Sequence, residues 1–89
     1  MIEVVVHSHA LKHGISEPDI LYAWDNFIAK QWRTAPREEE IVAIGTTPDG
    51  MLVQLIGKDL GCVHLIFHAM LPPSEKVLRE LGLRRGRVQ

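Results

Sequence analysis

Five histidines in a chain of 89 residues fall into two groups, His7, His9 and His13 near one end and His64 and His68 near the other. Imidazole titrates near neutral pH, so either group can hold a metal or move a proton. The first group lies in "VVVHSHALKHG", where an HxH pair on a strand aims both rings to one face, and a third ring four residues on converges if the chain turns. No cysteine pair and no HExxH helix accompanies it, and Glu3 and Glu17 have no ligand spacing. The expectation is therefore no metal and no cofactor. As plain local structure, His7 ends a strand, His9 stands at a helix start where a side-chain acceptor is useful, and His13 caps or packs that short helix before Gly14.

A histidine pair beside a cationic side chain suits general acid/base cleavage of a phosphodiester, and RNA brings its own nucleophile in the 2′-hydroxyl. His68 and His13 are the proton-transfer candidates for such a site, with Lys12 as phosphate ligand. His64, Gln54, Arg79 and Trp32 are the candidates for holding substrate. The bland alternatives stand beside them: His64 is simply hydrogen-bonded on a sheet face, and Trp24 is a core residue.

The elements that must position these residues follow from patterning. Ile2 to Val6 is β-branched and reads as a strand, and His9 to His13 as a short helix closed by Gly14. "ISEPDILYAWDNFIAKQW" predicts a helix from about Glu17 to about Gln31, capped by Ser16, with Ile20, Trp24, Phe27 and Ile28 as its apolar stripe. "RTAPREEE" reads as a surface loop. Three strands follow, near 40 to 47, 51 to 57 and 62 to 69. The loops Pro48 to Gly50 and Asp59 to Gly61 would give residues of equal parity a common face. The odd face is then wholly apolar and packed by the helix. The even face carries Gln54, His64 and His68 among apolar residues, so it needs a cover. "PPSEKVLRELG" supplies a last short helix, capped by Ser74, lined by Val77, Leu78 and Leu81 and closed by Gly82. The expected fold is α+β: an antiparallel sheet of about four strands in the order β-α-α-β-β-β-α, helices packed mainly on one face, one domain over 1–89, and a basic, mobile tail from about 83.

Composition limits the partners. A balance of 46% hydrophobic and 24% charged residues is globular, and the net charge of −1 provides no global positive field for tight, salt-sensitive nucleic-acid binding. Any RNA contact must be local. The single Cys62 makes no internal disulfide, which fits a reducing compartment. No apolar run approaches the ~20 residues that span a bilayer, and "MIEVVVHSH" is too short for a signal peptide. A cytoplasmic protein with no membrane partner is expected.

The order of "KHGIS", a capped helix with an inner aromatic, "EEEIVAIG", "GMLVQLI" and "VHLIFHAM" over residues 7 to 82 resembles the BrnT-like toxins of type II toxin–antitoxin systems, in the RelE-like ribonuclease superfamily. "KHG" matches as Lys12, His13 and Gly14, and "IG" as Ile44 and Gly45. The resemblance implies an RNA-cleaving site on the sheet face opposite the helices, near His68, and an antitoxin that covers it or binds beside it. Where the family sets a cluster of arginines after the last strand, this chain has Met70, Leu71, Pro72 and Pro73, so cationic help falls to Lys12, Arg79 or the tail. The rival expectation, favoured by those missing arginines and by the net charge, is an inactive binding module whose even face docks a partner or a second copy.

Overall fold

The computed structural model describes residues 2–83. The basic tail expected beyond Leu83 lies outside them. Five strands and two helices follow one another as β1 (Glu3–Val6), a 3₁₀ turn (Ser8–Leu11), α1 (Glu17–Asp25), β2 (Phe27–Trp32), β3 (Glu40–Thr46), β4 (Leu52–Asp59), β5 (Val63–Met70) and α2 (Glu75–Glu80). The class is α+β as expected, but the sheet has five strands in the order β1-β5-β4-β3-β2 and is mixed, because β1 runs parallel to β5. Among the described residues no helix is long and apolar enough to cross a membrane.

The extra strand comes from a helix that ends early. Ser16 Oγ accepts the Asp19 amide and Pro18 sits in the first turn, as the pattern predicts, but α1 stops at Asp25 instead of near Gln31. Asn26 is the C-cap: its backbone N–H makes the last i→i−4 bond to the Tyr22 carbonyl, to which its side-chain Nδ2 also donates, while its own φ −107° and ψ 53° leave the helical region. The aromatic and β-branched pair Phe27–Ile28 then enters β2, and both residues lie exposed rather than on a helix stripe. Ile20, Ala23 and Trp24 do form the buried face of α1.

The helices cover opposite faces, not mainly one. Ile20, Ala23 and Trp24 pack with Ile41, Ala43, Val53, Leu55 and Ile66. On the other face Val77 and Leu78 of α2 pack on Val42 and Ile44, so α2 provides part of the cover that the apolar even face demands. Gly45 permits the close seating of α1, since a Cβ there would overlap the Ala23 backbone carbonyl. Arg33 tethers α2, donating from Nε and Nη2 to both Glu80 oxygens and from Nη1 to Glu40. The Glu80 hydrogen bonds, ahead of those from Glu40, raise the guanidinium pKa further.

The loop at Pro48 to Gly50 is as expected: Thr47 N–H donates to Met51 O, and Gly50 turns with φ +85°. The next hairpin is not. Leu60 N–H donates to Val63 O, leaving Gly61 and Cys62 as the link. Further along, Ile56 pairs with His68 but Gly57 with Ile66, so Phe67 is an extra residue in β5. One unpaired residue reverses which face every preceding side chain takes. Parity therefore holds for His68 and Met70 and inverts for His64 and Ile66.

Candidate functional site

The segment that carries Lys12 and His13 is anchored at both ends. β1 ends where His7 N–H donates to the Ile66 carbonyl, and the chain then turns across the end of β5. His7, not His9, caps this turn, its Nδ1 accepting the His9 amide at 3.0 Å. Fully buried Ala10 holds one side of the segment and Ile15 the other. Gly14, at φ +82°, makes the reversal between them. Lys12 and His13 thus project from a short, pinned loop.

His68 reaches the same place from β5. The His13 and His68 rings meet edge to face with centroids 6.1 Å apart. Burial pushes the His68 pKa below the usual imidazole range, and the nearby charges of His13, Lys12 and Arg33 push it the same way. Its hydrogen bonding agrees. The backbone N–H of Ser74 can only donate, so the Gln54 atom that receives it at 2.9 Å is Oε1, which also accepts the Ser74 hydroxyl at 3.0 Å. Gln54 Nε2 then donates to His68 Nε2 at 3.0 Å, and the proton of the neutral ring resides on Nδ1. Gln54 is 5% exposed, and its amide is taken up by these partners. It positions His68 rather than reaching for a substrate. Ser74 was legible only as the cap of α2, whose Val77 amide it does accept; nothing in its neighbours points to the bond with Gln54.

The other substrate candidates lie elsewhere. The bulge at Phe67 turns His64 to the α1 face, where its ring meets Trp24 edge to face at 6.1 Å. Its Nε2 is 3.6 Å from Asp59 Oδ1, within ion-pair but beyond hydrogen-bond range, and this buried atom has no hydrogen-bond partner among the described residues. Trp32, 58% exposed, donates from Nε1 to Asp59 Oδ2 at the far end of the sheet. Lys30 folds back beside it, donating to the Trp24 carbonyl and lying 4.0 Å from the Trp24 ring centroid. Burial lowers its pKa, partly offset by Asp25. Arg79 stands on the exposed side of α2. The structure thus brings together Lys12, His13, His68 and Gln54, and leaves His64 and Trp32 outside that cluster.

Among the described residues no group of three or more His, Cys, Asp or Glu side chains is arranged to hold a metal ion. His7 and His9 pack against each other, with centroids 4.9 Å apart. Of two clefts, one includes a residue of the cluster and the other does not. One, of about 310 Å³, opens beside His13 between the start of α1 and the β3–β4 turn. The other is an apolar groove of about 510 Å³ beside α2, lined by Ile28, Ile44, Met51, Leu52, Leu71 and Leu78 among others. Comparison with known protein families, with characterised proteins and with solved structures finds no match.

Proposed function

We propose that this chain is a small endoribonuclease of the toxin type, cleaving RNA by general acid/base chemistry at Lys12, His13 and His68. The observation that carries the reading is the meeting of His13 and His68 at 6.1 Å, from opposite ends of the chain, with Lys12 adjoining and His68 braced by Gln54. The resemblance of "KHG" and the "IG" strand to BrnT-like toxins supports the same conclusion. The roles follow from the hydrogen bonds. His68 is neutral with its Nε2 lone pair occupied, so it serves the phosphate as an Nδ1–H donor. His13, exposed on its loop, takes the 2′-hydroxyl proton as that oxygen attacks phosphorus and returns it to the 5′-oxygen as the P–O5′ bond breaks, leaving a 2′,3′-cyclic phosphate, while Lys12 supplies charge to the phosphoryl oxygens. The test is incubation of purified protein with single-stranded and ribosome-bound RNA. Cleavage should fall about 10²–10⁴-fold in His13→Ala, with folding checked by circular dichroism. Intact RNA with the wild-type protein ends the proposal.

The apolar groove beside α2 favours a second reading, a catalytically inactive module that docks a partner such as a cognate antitoxin or a second copy. Met51, Leu52 and Ile28 are large apolar residues left exposed on its rim. A solution mass at the monomer value, unchanged when the product of the adjacent reading frame is added, would count against it.

A further inference from the structure

We propose that the free edge of β2 pairs with the same edge of a second copy, giving a two-fold dimer with one continuous ten-stranded sheet. The contact uses a strand edge, not the His13–His68 cluster or the groove beside α2, so it stands apart from both readings above. β2 ends the sheet, with β3 on one side and no strand of the described residues on the other. Which of its main-chain groups lie unpaired follows from the register. Arg33 N–H donates to the Glu40 carbonyl, and across β3 Asp59 N–H donates to the Glu39 carbonyl. Bonded pairs alternate along an antiparallel ladder, so Gln31 and Ala29 also turn their main chain to β3, opposite Val42 and Ile44. Lys30 and Trp32 therefore point their N–H and C=O groups away from the sheet, as a row of two donors and two acceptors.

Among the described residues nothing guards this edge. Natural edges are protected by proline, by an outward lysine or by brevity. β2 has six residues, no proline and one charge, Lys30. That ammonium is folded back: it donates to the Trp24 carbonyl at 3.0 Å and lies 4.0 and 4.4 Å from the Trp24 and Phe27 ring centroids. Phe27, Ile28 and Trp32 remain exposed beside it. The opposite edge differs, for β1 has four residues and carries an exposed Glu3. A second copy is the occupant because β2 is self-complementary. Antiparallel pairing with Gln31 on the two-fold axis sets Lys30 opposite Trp32 of the second copy, and the converse, for four main-chain bonds. It keeps the new ladder clear of the irregularity between Phe27 and Ala29. It also places the one charge of β2 opposite an aromatic ring instead of a second lysine. The axis stands perpendicular to the sheet, so like faces adjoin, and the two β5 strands lie seven strand spacings apart, ~34 Å. Both His13–His68 clusters stay clear of the contact.

The experiment is sedimentation of the full chain over a concentration series, paired with amide hydrogen exchange. Twice the monomer mass is expected at high concentration. There the Lys30 and Trp32 amides should exchange about ten-fold more slowly than in dilute protein, once the concentration is about ten times the dissociation constant. Lys30→Pro removes an outward donor without touching a bond to β3 and should leave a monomer; Lys30→Ala loses the same side chain, keeps the N–H and should still dimerise. Urea unfolding checks the fold of both variants, and the exchange measurement decides by itself should the proline variant unfold. A monomer at every concentration, or a proline variant that dimerises no more weakly than the alanine variant, overturns the proposal. A dimer whose protected amides lie elsewhere overturns it too, and protection around the groove would support the second reading instead. Protection of Lys30 and Trp32 only when the product of the adjacent reading frame is added would assign the edge to a different protein and reject the second copy.

Discussion

Replacing Gln54 by Glu should raise the proton affinity of His68. In the native protein the Gln54 amide accepts from Ser74 at 2.9 and 3.0 Å and donates to His68 Nε2 at 3.0 Å. That arrangement stabilises the neutral ring, in line with the lowering caused by burial and by the charges of His13, Lys12 and Arg33. The linkage sign follows: the unfolded chain takes up the proton more readily, so stability is full above the ordinary value near 6.5 and is lost as pH falls through the lower folded pKa. A carboxylate at position 54 keeps both bonds from Ser74 but has no proton to give. Its second oxygen meets Nε2 lone pair to lone pair unless a proton lies between, and a hydrogen bond between charged groups contributes about 1.5–3 kcal/mol. That corresponds to a proton affinity on the order of ten- to a hundred-fold higher. In Gln54→Glu the His68 ring should titrate higher than in the native protein by that factor. Acidification from pH 7 to 5 should then cost less stability than in the native protein. The assay is an NMR titration of the His68 ring signals, paired with urea unfolding at both pH values. A His68 ring in the variant that titrates no higher than in the native protein would refute both the amide orientation and the neutral, Nδ1-protonated ring derived from it.

Three further outcomes follow from packing and hydrogen bonding. Gly45→Ala should destabilise by about 3 kcal/mol or more, because its Cβ meets the Ala23 backbone and not a flexible side chain; in a domain whose total is roughly 4–13 kcal/mol, a large drop in the urea midpoint is expected. His64→Leu should leave stability unchanged or raise it by about 1 kcal/mol, since it removes a buried nitrogen without a partner; a loss above that size would mean the ring has a partner. Arg33→Ala should loosen α2, which Arg33 ties through two bonds to Glu80, and faster amide exchange at Val77 and Leu78 than at the Ile44 amide is the expected signature.

What the sequence could reveal depended on how local each cause is. The strands at 40–46, 52–59 and 63–70 announce themselves through β-branched runs, and the β3–β4 turn through Pro48 and Gly50, because those preferences act within a few residues. β2 was hidden because Phe27 and Ile28 continue the spacing of Ile20 and Trp24, and the helix ends at a single residue, Asn26, whose backbone leaves the helical region. The partner of β1 was equally hidden, since a β-branched run says nothing of which strand it will join. The bulge at Phe67 had no glycine to mark it, so parity placed His64 and His68 on one face when only His68 shares a face with Gln54. His13 and His68, singled out as a proton-transfer pair from the sequence, do lie with their rings 6.1 Å apart. Ser74 escaped because its bond to Gln54 depends on where α2 docks.

The parallel pairing of β1 with β5 has a consequence in time as well as in space. The strand that leads into the first histidines is made first, and the strand it must join is made last of the five. During synthesis β1 and the Lys12–His13 loop emerge without a neighbour, and the sheet can close only once β5 has cleared the ribosome. His13 and His68 then come together in one of the last steps of folding. A nascent or truncated chain lacking β5 lacks His68 and so holds no such site.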